Sequence, residues 1–166
     1  MATPLSELTE QALWPGVARS EVRGQVPEVP EHDEPVWLIL DPDNDAGLKA
    51  QLATLLDRFG HVVPDSVPDS VSIDETSGPV CIDDRANIGE CVRIEGPCYI
   101  GPDVKVRHGA YVRPNSWLCE GSVLGHSSEM KHSLLLPGAK APHFNYVGDS
   151  ILEGGVNLGA GCKLSN

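Results

Sequence analysis

Residues 80–136 read VCIDDRANIGECVRIEGPCYIGPDVKVRHGAYVRPNSWLCEGSVLGHSSEMKHSLLL. Within them Ile82, Ile88, Ile94, Ile100, Val106, Val112, Leu118, Leu124, Met130 and Leu136 stand six apart without a break. About half of the residues in an average chain are apolar, so a run of ten such positions arises by chance roughly once in a thousand. Two residues before the aliphatics stand small or slender side chains: Val80, Ala86, Val92, Cys98, Val104, Ala110, Ser116, Ser122 and Ser128.

A period of six fits neither an isolated helix nor an ordinary strand, but it is the period of a hexapeptide-repeat parallel β-helix. The fold class that follows is mainly β, with three hexads to a triangular coil and a small α/β extension at the N-terminus. Each aliphatic then points inward and stacks on its counterpart 18 residues later, with coils about 4.8 Å apart. Burying each contributes roughly 1.5–3 kcal/mol. An antiparallel sandwich, the competing architecture, would alternate every two residues and turn at varied spacing. A left-handed winding is taken from the repeat class, since parallel crossovers are otherwise right-handed.

Working outward, the phase of the repeat fails after Leu136. The next ladder position would be Pro142, and regularity returns only at Leu152, Leu158 and Leu164. The spacing predicts that the chain leaves the coil between Pro137 and Ser150, and interruptions in solenoids tend to lie on a binding face. At the other end, residues 61–79 contain Val-Pro-Asp-Ser twice, at 63–66 and 67–70, and read as an extended linker. Before it, the pattern predicts a short helix at Leu5–Leu13 closed by Trp14-Pro15-Gly16, a strand over Pro35–Leu40, and a helix over Ala46–Phe59 capped by Asp45. Leu48, Leu52, Leu55 and Leu56 share one face of that helix, so it should pack on something. The acid run Asp41–Asp45 reads as a solvated loop. The division expected is therefore an acidic extension and linker over 1–79 and a β-helix over 80–166. The chain stops at Asn166, two residues past a ladder leucine and with no capping element, so the solenoid is expected to be cut short there.

Charge separates the same two parts. Residues 1–79 carry 15 acidic and 4 basic side chains, residues 80–166 carry 9 and 8, and the whole chain has a formal charge of −12. Such a total disfavours nucleic acid and anionic membranes as partners. The five cysteines, Cys81, Cys91, Cys98, Cys119 and Cys162, are odd in number and form no CxxC pair, which suggests neither a disulfide framework nor a zinc ribbon. Cys98 and Cys162 fall at the small inward position. There is no basic region followed by an apolar stretch at the N-terminus and no apolar run of 18, so a cytoplasmic location is the expectation.

Three groups of residues could carry chemistry. His108, His126 and His132 share one hexad position, the first two 18 residues apart. Three histidines of neighbouring subunits hold zinc in gamma-class carbonic anhydrases, but exposed turn histidines are the simpler reading because no acid pattern supplies outer partners. His143 lies in the phase break, between Pro142 and Phe144. Between Lys105 and Lys140 there are five basic residues and two acidic ones, and Arg113 and Lys131 are 18 apart, hence neighbours on one face. A guanidinium beside an ammonium suits a phosphate, and an imidazole suits proton abstraction near neutral pH. Surface pairing of the two cations with Glu129 or Asp149 is the alternative.

The blocks Arg113-Pro114, Glu129-Met130-Lys131, Lys140-Ala-Pro-His143-Phe-Asn-Tyr146-Val-Gly-Asp149 and Val156-Asn157-Leu-Gly-Ala160-Gly161, with the terminal Asn166, occur in this order over residues 80–166. Together they resemble the acetyltransferase half of the bifunctional bacterial enzymes that make UDP-N-acetylglucosamine. The resemblance implies His143 as general base and Asn166 as active-site asparagine. It implies Arg113, Lys131 and Tyr146 as sugar-phosphate contacts, Asn157 as a sugar contact, and the Ala160 amide as a contact of the acetyl thioester. The implied reaction moves acetyl from acetyl-CoA to the amine of glucosamine 1-phosphate or a similar sugar, in a homotrimer and with no metal. A β-helix that binds sugar nucleotides without turnover and serves a separate nucleotidyltransferase is the rival reading; a zinc enzyme using His108, His126 and His132 is a further one.

Overall fold

The computed structural model describes residues 26–28 and 35–165; the helix expected at Leu5–Leu13, its Trp14-Pro15-Gly16 stop and Asn166 lie outside them. The rest is mainly β. Three parallel sheets form the faces of a triangular prism of about five coils. Face A consists of Val80–Ile82, Cys98–Ile100, Ser116–Leu118, Ser133–Leu135 and Ile151–Leu152. Face B consists of Ser72–Asp74, Arg93–Glu95, Tyr111–Val112, Glu129–Lys131, Tyr146–Gly148 and Lys163–Leu164. Face C consists of Asn87–Ile88, Lys105–Val106, Val123–His126 and Lys140–His143.

Inward ladders run up each face as the hexads require. Ile82 pairs with Ile100 and Ile100 with Leu118 on face A, Ile94 with Val112 and Val112 with Met130 on face B, Ile88 with Val106 and Val106 with Leu124 on face C. All of these are buried, and so are the slender residues two positions ahead, apart from the partly buried Ala86.

The ladder then differs from the expectation in one residue. Leu118 pairs with Leu135, not Leu136, and Leu135 pairs with Leu152. The cause is a shorter corner between faces B and A. Two residues, Pro114 and Asn115, turn it in the third coil; one, His132, turns it in the fourth, and one, Asp149, in the fifth. Both His132 (φ 43°) and Asp149 (φ 45°) adopt the left-handed conformation, which turns the chain within a single residue. Each later coil is therefore 17 residues long, and Met130, Leu135, Ala141, Val147, Leu152, Leu158 and Leu164 continue the inward series. No segment leaves the prism between Pro137 and Ser150. Leu136 is buried on the other side of the sheet.

That other side is a second core. Cys81, Tyr99, Trp117 and Leu134 form the outward column of face A, in register with one another. With Cys119 and Leu136 they bury against Ile39, Leu48, Leu52, Leu55 and Leu56. The last four lie on helix α1 (Leu48–Phe59), as the leucine spacing predicts. The helix starts after Gly47 with no side-chain cap, so Asp45 does not cap it; Asn44 Oδ1 accepts the Ala46 N–H instead. Val36–Leu40 forms a 3-10 helix rather than the expected strand. Face A is sealed by helix and offers no edge there, and the Leu38 N–H closes on the Pro35 carbonyl.

Residues 61–79 are not an extended linker. The two Val-Pro-Asp-Ser repeats make successive turns, with the Val67 N–H on Pro64 O and the Val71 N–H on Pro68 O. They pack Val63, Val67 and Val71 over the open end of the core, and Ser72–Asp74 joins face B. Cys98 is fully buried as expected, and its thiol pKa is pushed far up by desolvation; Cys162 is only partly buried. Among the described residues no helix is long and apolar enough to cross a membrane.

Candidate active site

Face B carries two outward columns, because residues two apart on a strand point to the same side. Tyr111, Glu129, Tyr146 and Lys163 make one. Arg113, Lys131 and Gly148 make the other: Lys131 is in register with Gly148, and the Arg113 N–H donates to Met130 O at 2.8 Å, which sets Arg113 beside Lys131. Both cations also hold carboxylates. Arg113 Nη1 donates to Glu129 Oε1 at 2.9 Å, and Lys131 Nζ lies 3.5 Å from Asp149 Oδ2. The surface pairing of the two cations with Glu129 and Asp149 is thus present on the face that sets them side by side.

Gly148 explains part of the motif. A Cβ there would meet Tyr146 Cε1 at 2.6 Å and its hydroxyl at 2.7 Å. The phenol lies across the place of the absent side chain, so the Tyr-x-Gly spacing lays the ring along face B toward the Arg113–Lys131 column.

His143 ends its strand at the edge between faces C and B. Its N–H donates to Asn145 Oδ1 at 2.9 Å, and its carbonyl accepts the Gly161 N–H at 3.0 Å. Asn145 is 3% exposed, donates its amide Nδ2 to Gly159 O at 2.7 Å, and donates its own N–H to Ser128 Oγ at 3.1 Å. One buried amide therefore ties the His143 main chain to the coils on both sides, while the imidazole stays exposed. Sequence reading passed over Asn145. The signal was its place two residues before Val147, a slot otherwise filled by Ser, Ala, Val or Cys. Beside it Phe144 (φ 52°) is 59% exposed and meets the His126 ring edge-on at 5.1 Å.

The histidines divide differently from the hexad count. His108 and His126 stack, with ring centroids 5.6 Å apart, as their spacing predicts. The next member of their column is His143, in register with His126 through the 17-residue coil. His132 sits at the opposite corner with Nδ1 2.8 Å from Asp149 Oδ1, so His108, His126 and His132 do not converge within the chain. Among the described residues no group of three or more His, Cys, Asp and Glu side chains has a metal-binding arrangement.

Asn157 and Ala160, the other expected site residues that the structure describes, lie one coil beyond His143 and Lys140. Asn157 bridges to Lys140 and is exposed on face C. Ala160 is one coil beyond His143, next to the Gly161 N–H that binds it, and its own amide donates to no group among the described residues. The structure therefore gathers Arg113, Lys131 and Tyr146 on face B, puts His143 on the edge, and puts Asn157 on face C.

The His132–Asp149–Lys131 corner makes stability depend on pH. Burial alone would raise the Asp149 pKa, but the His132 hydrogen bond and the Lys131 charge outweigh it and hold the carboxyl below its ordinary 3.8. A depressed carboxyl pKa stabilises the fold above the unfolded value, and the gain is lost as pH falls through the folded one. Asp149→Asn should thus be less stable than wild type to urea at neutral pH, with the gap closing as pH falls below about 3.8. A gap independent of pH would mean that charge plays no part.

No protein-family model matches the chain. Among curated proteins it is similar to the bifunctional sugar-1-phosphate nucleotidylyltransferase/acetyltransferase of Sulfurisphaera tokodaii, with 41% identity over 98 residues, covering 48% of this chain and 24% of that protein. It is also similar to the bifunctional protein GlmU of Carboxydothermus hydrogenoformans (40% over 67 residues; 40% of this chain, 15% of that protein) and of Paraburkholderia xenovorans (36% over 96 residues; 55% and 21%). The match spans a quarter or less of these relatives' length. These relatives bear out the resemblance read from the motif blocks, and the β-helix is the fold it implies.

Proposed function

We propose that the chain moves an acetyl group from acetyl-CoA to the amine of a phosphorylated amino sugar, of the glucosamine 1-phosphate kind, in cytoplasmic nucleotide-sugar synthesis. The observation that carries this reading is the setting of His143. Its main chain is clamped by Asn145 and Gly161 and its imidazole is exposed, at the edge of a face bearing Arg113, Lys131 and Tyr146. Similarity to proteins named as acetyltransferases supports it.

In this reading Arg113 and Lys131 take the sugar phosphate, with Glu129 and Asp149 fixing their geometry beforehand. Tyr146 lies against the same ligand. His143 removes a proton from the amine as its nitrogen attacks the thioester carbon. The Ala160 amide, which donates to no group among the described residues, faces the acetyl thioester, and amide donors of this kind stabilise the developing oxyanion. The tetrahedral intermediate collapses, the carbon–sulfur bond breaks, and the proton leaves with the coenzyme thiolate. Asn166 and Asn157 complete the catalytic and sugar contacts. The transfer domain is the β-helix, expected at 80–166 and extended by the turns of 61–71 and the Ser72–Asp74 strand of face B; the acidic extension is what precedes them.

A homotrimer belongs to the same proposal. Face A is closed by helix α1, whereas no described residue covers faces B and C, which in this reading carry the two halves of the site. In a cyclic assembly, face C of one copy can complete face B of the next. A thiol-release assay with acetyl-CoA and glucosamine 1-phosphate tests the function. Free coenzyme A released only when both substrates are present supports it; tight binding of a UDP-sugar with no thiol release would instead favour the non-catalytic module.

A further inference from the structure

The outer side of face C holds a second cationic site that the proposed transfer reaction does not use. Arg85, Lys105, Arg107 and Lys140 line a concavity of about 480 Å³, floored by Val123 and Gly121. The register explains the hollow. Lys105 pairs with Val123 and Val123 with Lys140, so the two lysines stand two coils apart in one column, roughly 9.6 Å at strand spacing, with a short side chain between them. Arg107, two residues after Lys105, projects from the same side of the strand.

Among the described residues the charges here are uncommitted, unlike those of face B. Asp103, the one acid in the lining, lies 3.5 Å from Arg85, and among the described residues Lys105, Arg107 and Lys140 take part in no ion pair. Three unneutralised cations around one hollow, in a chain of net charge −12, repel one another unless an anion joins them. The size and symmetry of the gap set the anion. A single phosphate can satisfy one lysine, whereas two lysines about two coils apart with a guanidinium at the side match two linked phosphates. The acidic remainder of the chain disfavours a long polyanion.

We propose that face C binds a compact diphosphate, either free or as the diphosphate of a nucleotide, at Lys105, Arg107 and Lys140. Within one chain the site is separate from the Arg113–Lys131 column, which lies on face B, and the inference does not rest on the transfer reaction.

Isothermal titration with inorganic pyrophosphate, at fixed ionic strength and with sulfate as the control anion, tests it. Wild type should bind pyrophosphate in preference to sulfate, and the double variant Lys105→Gln/Lys140→Gln should weaken binding at least about tenfold, as loss of two charge-assisted contacts requires. Both lysines are exposed, and circular dichroism checks that the variant folds. Lys49→Gln, an exposed lysine on helix α1 away from both sites, should bind pyrophosphate as wild type does. Repeating the titration with UDP separates the sources: tighter binding than pyrophosphate identifies a nucleotide ligand, equal binding a ligand read by its phosphates alone. Equal affinity of wild type and Lys105→Gln/Lys140→Gln, or no preference over sulfate, would overturn the proposal.

Discussion

In the intact protein, His143→Ala should lower kcat by about 10² to 10⁴ and leave the KM for the amino sugar nearly unchanged. General-base assistance acts only in the transition state, and among the described residues the His143 ring has no bond to another side chain whose loss would disturb binding. Lys131→Ala should do the reverse, raising KM with a smaller effect on kcat, because the phosphate it would hold is present before and after transfer. The structure adds a complication on the Lys131 side. Its removal leaves Asp149 hydrogen-bonded to His132 without its lysine, so part of the KM effect reflects a like charge near the phosphate. Lys131→Arg should recover affinity if charge is what matters there. Steady-state kinetics on the three variants checks both roles, and a wild-type kcat in His143→Ala would remove His143 from the mechanism.

The second large effect is on stability and reports the register. Leu118→Ala and Leu135→Ala should each cost about 2–5 kcal/mol, since both side chains are fully buried in the prism core. The two are in register on neighbouring coils, so the double variant should depart from additivity by 0.5 kcal/mol or more in urea denaturation. Leu136→Ala should be comparably costly but additive with Leu118→Ala to within about 0.5 kcal/mol, because Leu136 packs on helix α1, across the sheet. If instead Leu136 coupled to Leu118 and Leu135 did not, the 18-residue coil would be right and the 17-residue one wrong.

That contrast shows where sequence patterning stops being sufficient. Up to Met130 each hexad offers one aliphatic, and the inward ladder could be read directly. At Ser133-Leu134-Leu135-Leu136 three adjacent leucines are all buried, two toward α1 and one toward the prism, so the period could slip a residue without leaving a polar side chain in the core. The slip itself sits in His132, whose left-handed backbone has no compositional signature of the kind glycine would give. Once the slip is placed, His143 falls into the column of His108 and His126 rather than into a loop.

The same limit applies to the ends of the prism and to the site. Leucine spacing identified α1 and its buried face, yet nothing in Val-Pro-Asp-Ser distinguishes a linker from a pair of turns whose valines close the core. Motif blocks picked out Arg113, Lys131, His143 and Tyr146 because their residue types announce chemistry. Asn145 was legible only as an exception to a packing pattern, and the cationic hollow on face C needed the register, since Lys105 and Lys140 are 35 residues apart in sequence and two coils apart in space.

The central claim is that this chain forms an amide on a phosphorylated amino sugar by way of His143. Its most direct test is to incubate the intact protein with glucosamine 1-phosphate and acetyl-CoA carrying a labelled acetyl carbon, and to follow the label by NMR. In wild type the thioester carbonyl signal should be replaced by that of an amide carbonyl, and in His143→Ala this conversion should be slowed about 10² to 10⁴-fold. A label that stays on the thioester in wild type while the amino sugar remains bound and unmodified would contradict it.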